Sequence, residues 1–199
     1  MKTYPSIPKF PGGSVKLHTF DKLDGSNLRF EWTKKRGWFK FGTRRRLFDE
    51  TDDQFGLALP LFYNTLAEPL GNVLAGQGWE KVIVFAEYRG KESFAGYHTD
   101  DEKYLTVIDV SIHRKGILPP REFLKLFERF SPNYLGEFNW TPGFVERIKN
   151  NEVDGITFEG VVGKVKNKNL IVMYKAKTQQ WIDKVKSRFA DRAQEIINS

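Results

Sequence analysis

The chain has 199 residues, 40% hydrophobic and 15% aromatic, with no cysteine and a net charge of +7. That length suits one domain, or one domain with a small appendage, the apolar content argues against a disordered chain, and the missing cysteines exclude a disulfide framework or a thiolate metal site. No apolar run approaches the roughly 18 residues of a membrane span, and Met1-Lys2-Thr3-Tyr4-Pro5 lacks the apolar core of a secretion signal. The expectation is therefore an intracellular, cytoplasmic protein, and a pI near 9.5 favours a polyanionic partner.

Residues 1–13 carry Pro5, Pro8, Pro11, Gly12 and Gly13 and read as an extended lead-in arm. Val15, Leu17 and Thr19 then alternate along a strand that ends at Lys22. In Ser26 to Thr33, Leu28, Phe30 and Trp32 alternate with Asn27, Arg29 and Glu31. A Lys34-Lys35-Arg36-Gly37 turn leads on to Trp38-Phe39-Lys40-Phe41, which predicts a hairpin. Thr43-Arg44-Arg45-Arg46 ends it, and the acids Asp49, Glu50, Asp52 and Asp53 follow.

Leu59 to Leu74 has helical spacing, with Pro60 in a first turn and Pro69 expected to break the helix. Lys81 to Tyr88 and Tyr104 to Ile112 read as strands, and Arg121 to Phe130 as a short helix with Phe123, Leu124, Phe127 and Phe130 on one face. Residues 131–143 are aromatic and turn-rich and receive no assignment. Ile156 to Val165 and Leu170 to Ala176 predict a hairpin across Lys166-Asn167-Lys168-Asn169, and Gln179 to Ile197 an amphipathic helix. The mixed order with many antiparallel connections predicts an α+β fold.

Four features carry charge at strand ends or along apolar strands, where it is costly unless paired or bound to a ligand. They are Lys22-Leu23-Asp24-Gly25; Glu87, the one acid of its run; Glu159 in Phe158-Glu159-Gly160-Val161-Val162; and Lys175-Ala176-Lys177, whose period of two puts both ammonium groups on one face. Each has a plain alternative. Lys22 can be a surface charge beside an Asp-Gly turn, Glu87 and Glu159 can pair with nearby Arg or Lys, and Lys175 and Lys177 can form a solvated strand face. Together they suit phosphoryl chemistry. Neighbouring cations disfavour the charged form of a lysine nucleophile and also neutralise charge building on a phosphate oxygen. His18, His98 and His113 are scattered, so a metal would be a hard cation on carboxylate and phosphate oxygens, with Glu159 the candidate ligand.

From Phe20 to Lys177 the sequence resembles the covalent nucleotidyltransferases (polynucleotide ligases and mRNA capping enzymes), and most closely the ATP-dependent RNA ligases. The resemblance rests on ordered elements: Lys22-x-Asp24-Gly25, Thr43 to Arg46, Phe85-Ala86-Glu87, Val107-Ile108-Asp109-Val110, Glu159-Gly160-Val161-Val162 and Lys175-x-Lys177. It implies a ligase adenylation domain, antiparallel sheets flanked by helices with the ATP pocket between them. It also implies joining of 5′-phosphate and 3′-hydroxyl ends through lysyl-N-AMP and adenylated RNA, with ATP and Mg²⁺ or Mn²⁺ as cofactors.

By position, Lys22 would be the nucleophile, Lys175 and Lys177 would hold the α-phosphate, and Glu159 the metal. Asp21, Asp24, Gly25, Asn27, Arg44 (or Arg45 or Arg46), Glu87 and Ile108 would bind the nucleotide, with Glu87 on the ribose and Asp21 near adenine. Asn27, two places after Gly25, favours RNA over DNA. The sequence departs from the family in two places. Ile108 stands where an aromatic ring usually stacks on adenine, and only 22 residues follow Lys177, room for a helix over about 179–197 but not for an OB-fold or other appended domain. The expectation is a single nucleotidyltransferase domain over 1–199, read as a minimal ligase, a ligase that needs an accessory domain or protein for nucleic-acid grip, or a truncated piece, with RNA (or DNA) ends as partners and no membrane. The alternatives are a minimal DNA ligase of the same chemistry or a non-catalytic basic nucleic-acid-binding module.

Overall fold

The structure is a computed structural model that describes residues 3–91 and 102–198; His98 lies outside the described residues. In chain order the elements are β1 (Val15–Lys22), β2 (Ser26–Thr33), β3 (Gly37–Thr43), α1 (Ala58–Phe62), a π-turn (Tyr63–Ala67), α2 (Glu68–Gly76), β4 (Lys81–Arg89) and β5 (Tyr104–Ile112). Then come β6 (Gly116–Ile117), α3 (Pro120–Phe127), β7 (Tyr134–Trp140), α4 (Pro142–Lys149), β8 (Gly160–Asn167), β9 (Leu170–Lys177), α5 (Gln179–Phe189) and α6 (Ala193–Asn198). The described residues cluster into two compact units.

The first unit takes in residues 3–4, 25–91 and 102–131. Its sheet has the order β3-β2-β4-β5-β6, antiparallel throughout. Leu28, Phe30 and Trp32 alternate inward on β2 as their spacing predicts, and Phe30 stacks on Phe62 of α1 at 4.0 Å between centroids. Trp38 closes this layer, its indole N–H donating to the Ala67 carbonyl at 2.8 Å. Pro69 does not end the helix. Proline lacks an N–H and crowds the carbonyl four residues back, and the wider π-turn at Tyr63–Ala67 lies over that position. The helical path thus continues into α2.

The second unit takes in residues 5–24 and 132–198, with the antiparallel sheet order β7-β1-β8-β9. Leu17, Trp140, Phe144, Ile148, Val161 and Ala176 form its core. Trp140 is fully buried and its indole donates to Thr19 Oγ1 at 2.9 Å, so the aromatic bulk enters without an unpaired N–H. The lead-in arm runs along the open edge of β9, where Lys175 N donates to Pro8 O at 2.9 Å and Phe10 N to Lys175 O at 3.3 Å. That pairing covers a sheet edge.

Three sequence expectations change here. Residues 131–143, left unassigned, hold β7, and α4 follows with Thr141 capping its N-terminus and Pro142 in its first turn. The strand expected from Ile156 starts only at Gly160, whose φ of 142° ends the preceding irregular run. The helix expected over 179–197 breaks at Ala190 (φ 39°), so that α6 packs Ala193, Ile196 and Ile197 against Trp181 and Val185 of α5. Burying the apolar faces of α5 and α6 against each other offsets the cost of a positive φ at alanine. Among the described residues, no helix is long and apolar enough to cross a membrane.

Candidate active site

β1 delivers Lys22 at its last position, opposite Gly160 of β8, and Gly160 in turn faces Lys177 of β9. Three neighbouring strands therefore bring together side chains that lie up to 155 residues apart in sequence. Lys22 Nζ lies 2.8 Å from Glu159 Oε1, and Lys177 Nζ lies 3.7 Å from the same oxygen. The carboxylate and Lys177 are 6% and 7% exposed, whereas Lys22 retains 23%. Lys22 is the most exposed side chain of the trio. Lys175 is buried two residues before Lys177, and its charge acts on Lys177.

Gly160 explains how Glu159 reaches this place. A Cβ there would collide with the Ala176 carbonyl oxygen of β9, and its φ of 142° suits only glycine. Glu159 precedes the strand rather than lying inside it, which corrects the expectation of an acid within an apolar strand. Thr178 holds this segment, its N–H donating to Glu159 O at 3.0 Å and its hydroxyl to Phe158 O at 2.6 Å. The same hydroxyl oxygen caps α5 by accepting from Trp181 N at 3.1 Å.

Trp181 meets two of the motifs at once. Its indole N–H donates to Asp24 Oδ1 at 3.0 Å, and Lys177 Nζ sits 4.0 Å from its ring centroid. Asp24 is buried, so the carboxylate of Lys-x-Asp is anchored to α5. Asp21 accepts from Thr157 N at 3.0 Å and Thr157 Oγ1 at 2.7 Å, which ties the residue before the lysine to the run before Glu159. Sequence reading placed Trp181 on the apolar face of the last helix and overlooked Thr157 and Thr178. The Thr-x-x-Trp cap was the available signal.

Burial pushes the Lys177 ammonium down to about 8; Glu159 opposes that shift, while Lys22, Lys175 and Lys9 add to it. An unfolded chain keeps this proton up to about 10.5. Between those values the unfolded state binds more protons, so stability rises with pH across that window, and below about 8 both states are charged. Thermal melts of wild type and Lys177→Met should diverge by at most about 1.4 kcal/mol per pH unit between pH 8 and 10. A difference independent of pH would refute the shift.

The other sequence-predicted residues belong to the first unit. Gly25 packs under β4, where a Cβ would lie 2.5 Å from Tyr88 O. Asn27 of β2 pairs with Glu87 of β4, and the Asn27 amide nitrogen is buried without a hydrogen-bond partner among the described residues. Ile108 is the extra residue of a bulge in β5, between Val107 and Asp109, which face Ala86 and Phe85. The next residue, Asp109, is buried and accepts from the Tyr4 hydroxyl at 2.5 Å; burial and this carboxylate push the Tyr4 phenol well above its usual value. Within the arginine cluster, Arg46 is engaged by a two-pronged pair with Asp52, whose carboxyl is held far below the ordinary range by that guanidinium. Arg44 and Arg45 are exposed.

Among the described residues no group of three or more histidine, cysteine, aspartate or glutamate side chains could hold a metal ion. Glu159 therefore belongs to no such group. A hard cation bound mainly by phosphate oxygens and water, with one carboxylate, fits such a donor set; a softer, histidine- or thiolate-loving metal does not.

No family model and no curated protein matches the chain. Solved structures do. A Naegleria gruberi RNA ligase variant solved with ATP and manganese matches at a TM-score of 0.63 and 16% identity over 87% of this chain and 52% of that one. A second variant of a Naegleria gruberi RNA ligase matches at 0.63 and 14%, over 93% and 60%. An archaeal ATP-dependent RNA ligase matches at 0.59 and 15%, over 92% and 50%. The chain thus spans about half the length of the ligases it resembles. At these identities the likeness is one of fold, and that fold, α+β with two antiparallel sheets and flanking helices, is the nucleotidyltransferase fold of ATP-dependent RNA ligases.

Proposed function

We propose that the chain is a nucleotidyltransferase domain that joins RNA ends with ATP through an AMP adduct on Lys22. The observation that carries this reading is the contact of the Lys22 amine with Glu159 at 2.8 Å, beside Lys177 at 3.7 Å from the same oxygen. A lysine must lose a proton to solvent before it attacks, and the contact with Glu159 holds its amine in position. The neutral amine then bonds to the α-phosphorus of ATP as the bond from that phosphorus to the pyrophosphate oxygen breaks. In this reading Lys175 and Lys177 offset charge on the α-phosphate oxygens, a role that the approach of Lys177 to Glu159 beside Lys22 supports. Mg²⁺ or Mn²⁺, held by Glu159 with phosphate oxygens and water, would add positive charge at the same phosphate.

Transfer of AMP from Lys22 to a 5′-phosphate oxygen restores the amine. Attack of a 3′-hydroxyl on that phosphate then expels AMP and seals the strand. In the first unit Asn27 and Glu87 are the candidates for the ribose, Ile108 for the adenine face, and Arg44 for the AMP phosphate or ribose; Arg46 is the weaker choice because Asp52 engages it. The choice of RNA rests on Asn27 and on the ligases of like fold. Incubation with ATP, a divalent cation and nicked duplexes bearing 5′-phosphate RNA or DNA strands tests it. The expected result is ATP-dependent sealing of the RNA nick in preference to the DNA nick. Sealing of DNA alone would assign the same chemistry to another strand, and salt-sensitive binding without sealing or adduct would leave only a binding module.

A further inference from the structure

The first unit carries a concentration of positive charge that the proposed chemistry does not use. One end of its sheet presents two exposed hairpin tips, Lys34-Lys35-Arg36 between β2 and β3 and His113-Arg114-Lys115 between β5 and β6. Both tips are tied to the start of β4, with Lys34 N donating to Glu80 O at 3.1 Å and His113 N to Lys81 O at 3.0 Å. Strands lie about 4.8 Å apart, and the order β3-β2-β4-β5-β6 separates the two tips by three such steps, roughly 14 Å.

Between them lies a cleft of about 210 Å³ lined by Glu31, Lys40, Lys81, Ser111, His113 and Arg114. The one acid of that lining, Glu31, is buried and matched by Lys81 at 3.3 Å. An aromatic ring is set among the cations. Phe39 is the extra residue of a bulge in β3, between Trp38 and Lys40, which face Trp32 and Glu31. It holds Arg36 at 4.8 Å and Lys81 at 5.9 Å from its centroid. Cations spread over this distance around a ring match a chain of phosphates with intervening bases better than a single small anion.

We propose that this end of the sheet binds the phosphate backbone of an RNA strand, with one phosphate seated in the cleft beside Lys40 and Arg114. The assignment deepens the ligase reading by naming a grip for its substrate and rests on that reading for the choice of RNA. Its test does not depend on ligation. The double variant Lys40→Gln/Arg114→Asn removes two charges and keeps Lys81 for the buried Glu31. Asparagine also tolerates the positive φ of 64° at Arg114.

Fluorescence anisotropy with a labelled single-stranded RNA oligomer, read at several salt concentrations, should show roughly 10-fold weaker binding and a salt slope shallower by about 1.4. Adenylylation of Lys22 should be retained, and unchanged circular dichroism would establish that the variant is folded. Equal affinity and slope for the folded variant and the wild type would overturn the proposal. So would equally effective competition by inorganic phosphate at matched phosphate concentration, or binding to phosphatidylserine vesicles with none to RNA. If wild type binds RNA through these residues yet never acquires AMP, the grip stands and the ligase reading fails.

Discussion

Lys22→Ala should abolish the covalent AMP adduct completely and leave the protein folded. Neither Lys175 nor Lys177 can take the place of Lys22 without rearrangement. Lys177 lies 3.7 Å from the same Glu159 oxygen but is nearly buried, and Lys175 is buried on β9. Removal of Lys22 leaves Glu159 still faced by Lys177, so the carboxylate is not stranded and the melting temperature should move little. Lys22→Arg is the sharper companion, since it keeps the charge beside Glu159 and removes the nucleophile. Both variants should lack labelled adduct after incubation with labelled ATP. Label equal to wild type on either would remove Lys22 from the chemistry.

Gly160→Ala should be the most damaging small substitution in the second unit. The new methyl meets the Ala176 carbonyl of the neighbouring strand, and the φ of 142° has no allowed alanine conformation nearby. Strain of this kind costs about 1–3 kcal/mol and steric overlap a similar amount, for a total of about 3 kcal/mol. For a chain of this size that lowers the melting temperature by roughly 6–12 °C. Because Gly160 directly follows Glu159, adduct formation should fall even at temperatures where the variant is folded. A melting temperature within about 1 °C of wild type would show that β8 and β9 can part at this point without cost, contrary to their register.

The features readable from the sequence are those set by short-range pattern. Alternation of Leu28, Phe30 and Trp32 against charged neighbours gives β2, and the Lys34 to Gly37 turn fixes its hairpin with β3. The β-branched run Tyr104 to Ile112 coincides with β5. What the sequence hid depends on distant partners. β7 contains Gly136, Glu137 and Asn139, poor strand formers that pair because β1 offers a partner edge. The break at Ala190 has no local breaker and follows from packing of α6 against α5.

Pro69 misled for a different reason, since its helix-ending tendency is real and a π-turn absorbs it. Within the candidate site, the motif order named Lys22, Glu159 and Lys177, and strand register brings them together. The residues that steady them, Thr157, Thr178 and Trp181, belong to no charge pattern. Their roles arise from hydrogen bonds to Asp21, to the Phe158–Glu159 backbone and to Asp24.

The most direct test of the account is the intact mass of wild-type protein after exposure to ATP and Mn²⁺. The account predicts the gain of one AMP, mapped to the peptide that contains Lys22 and reversed by pyrophosphate. An unchanged mass for folded protein under those conditions, or an adduct on any other residue, would contradict it.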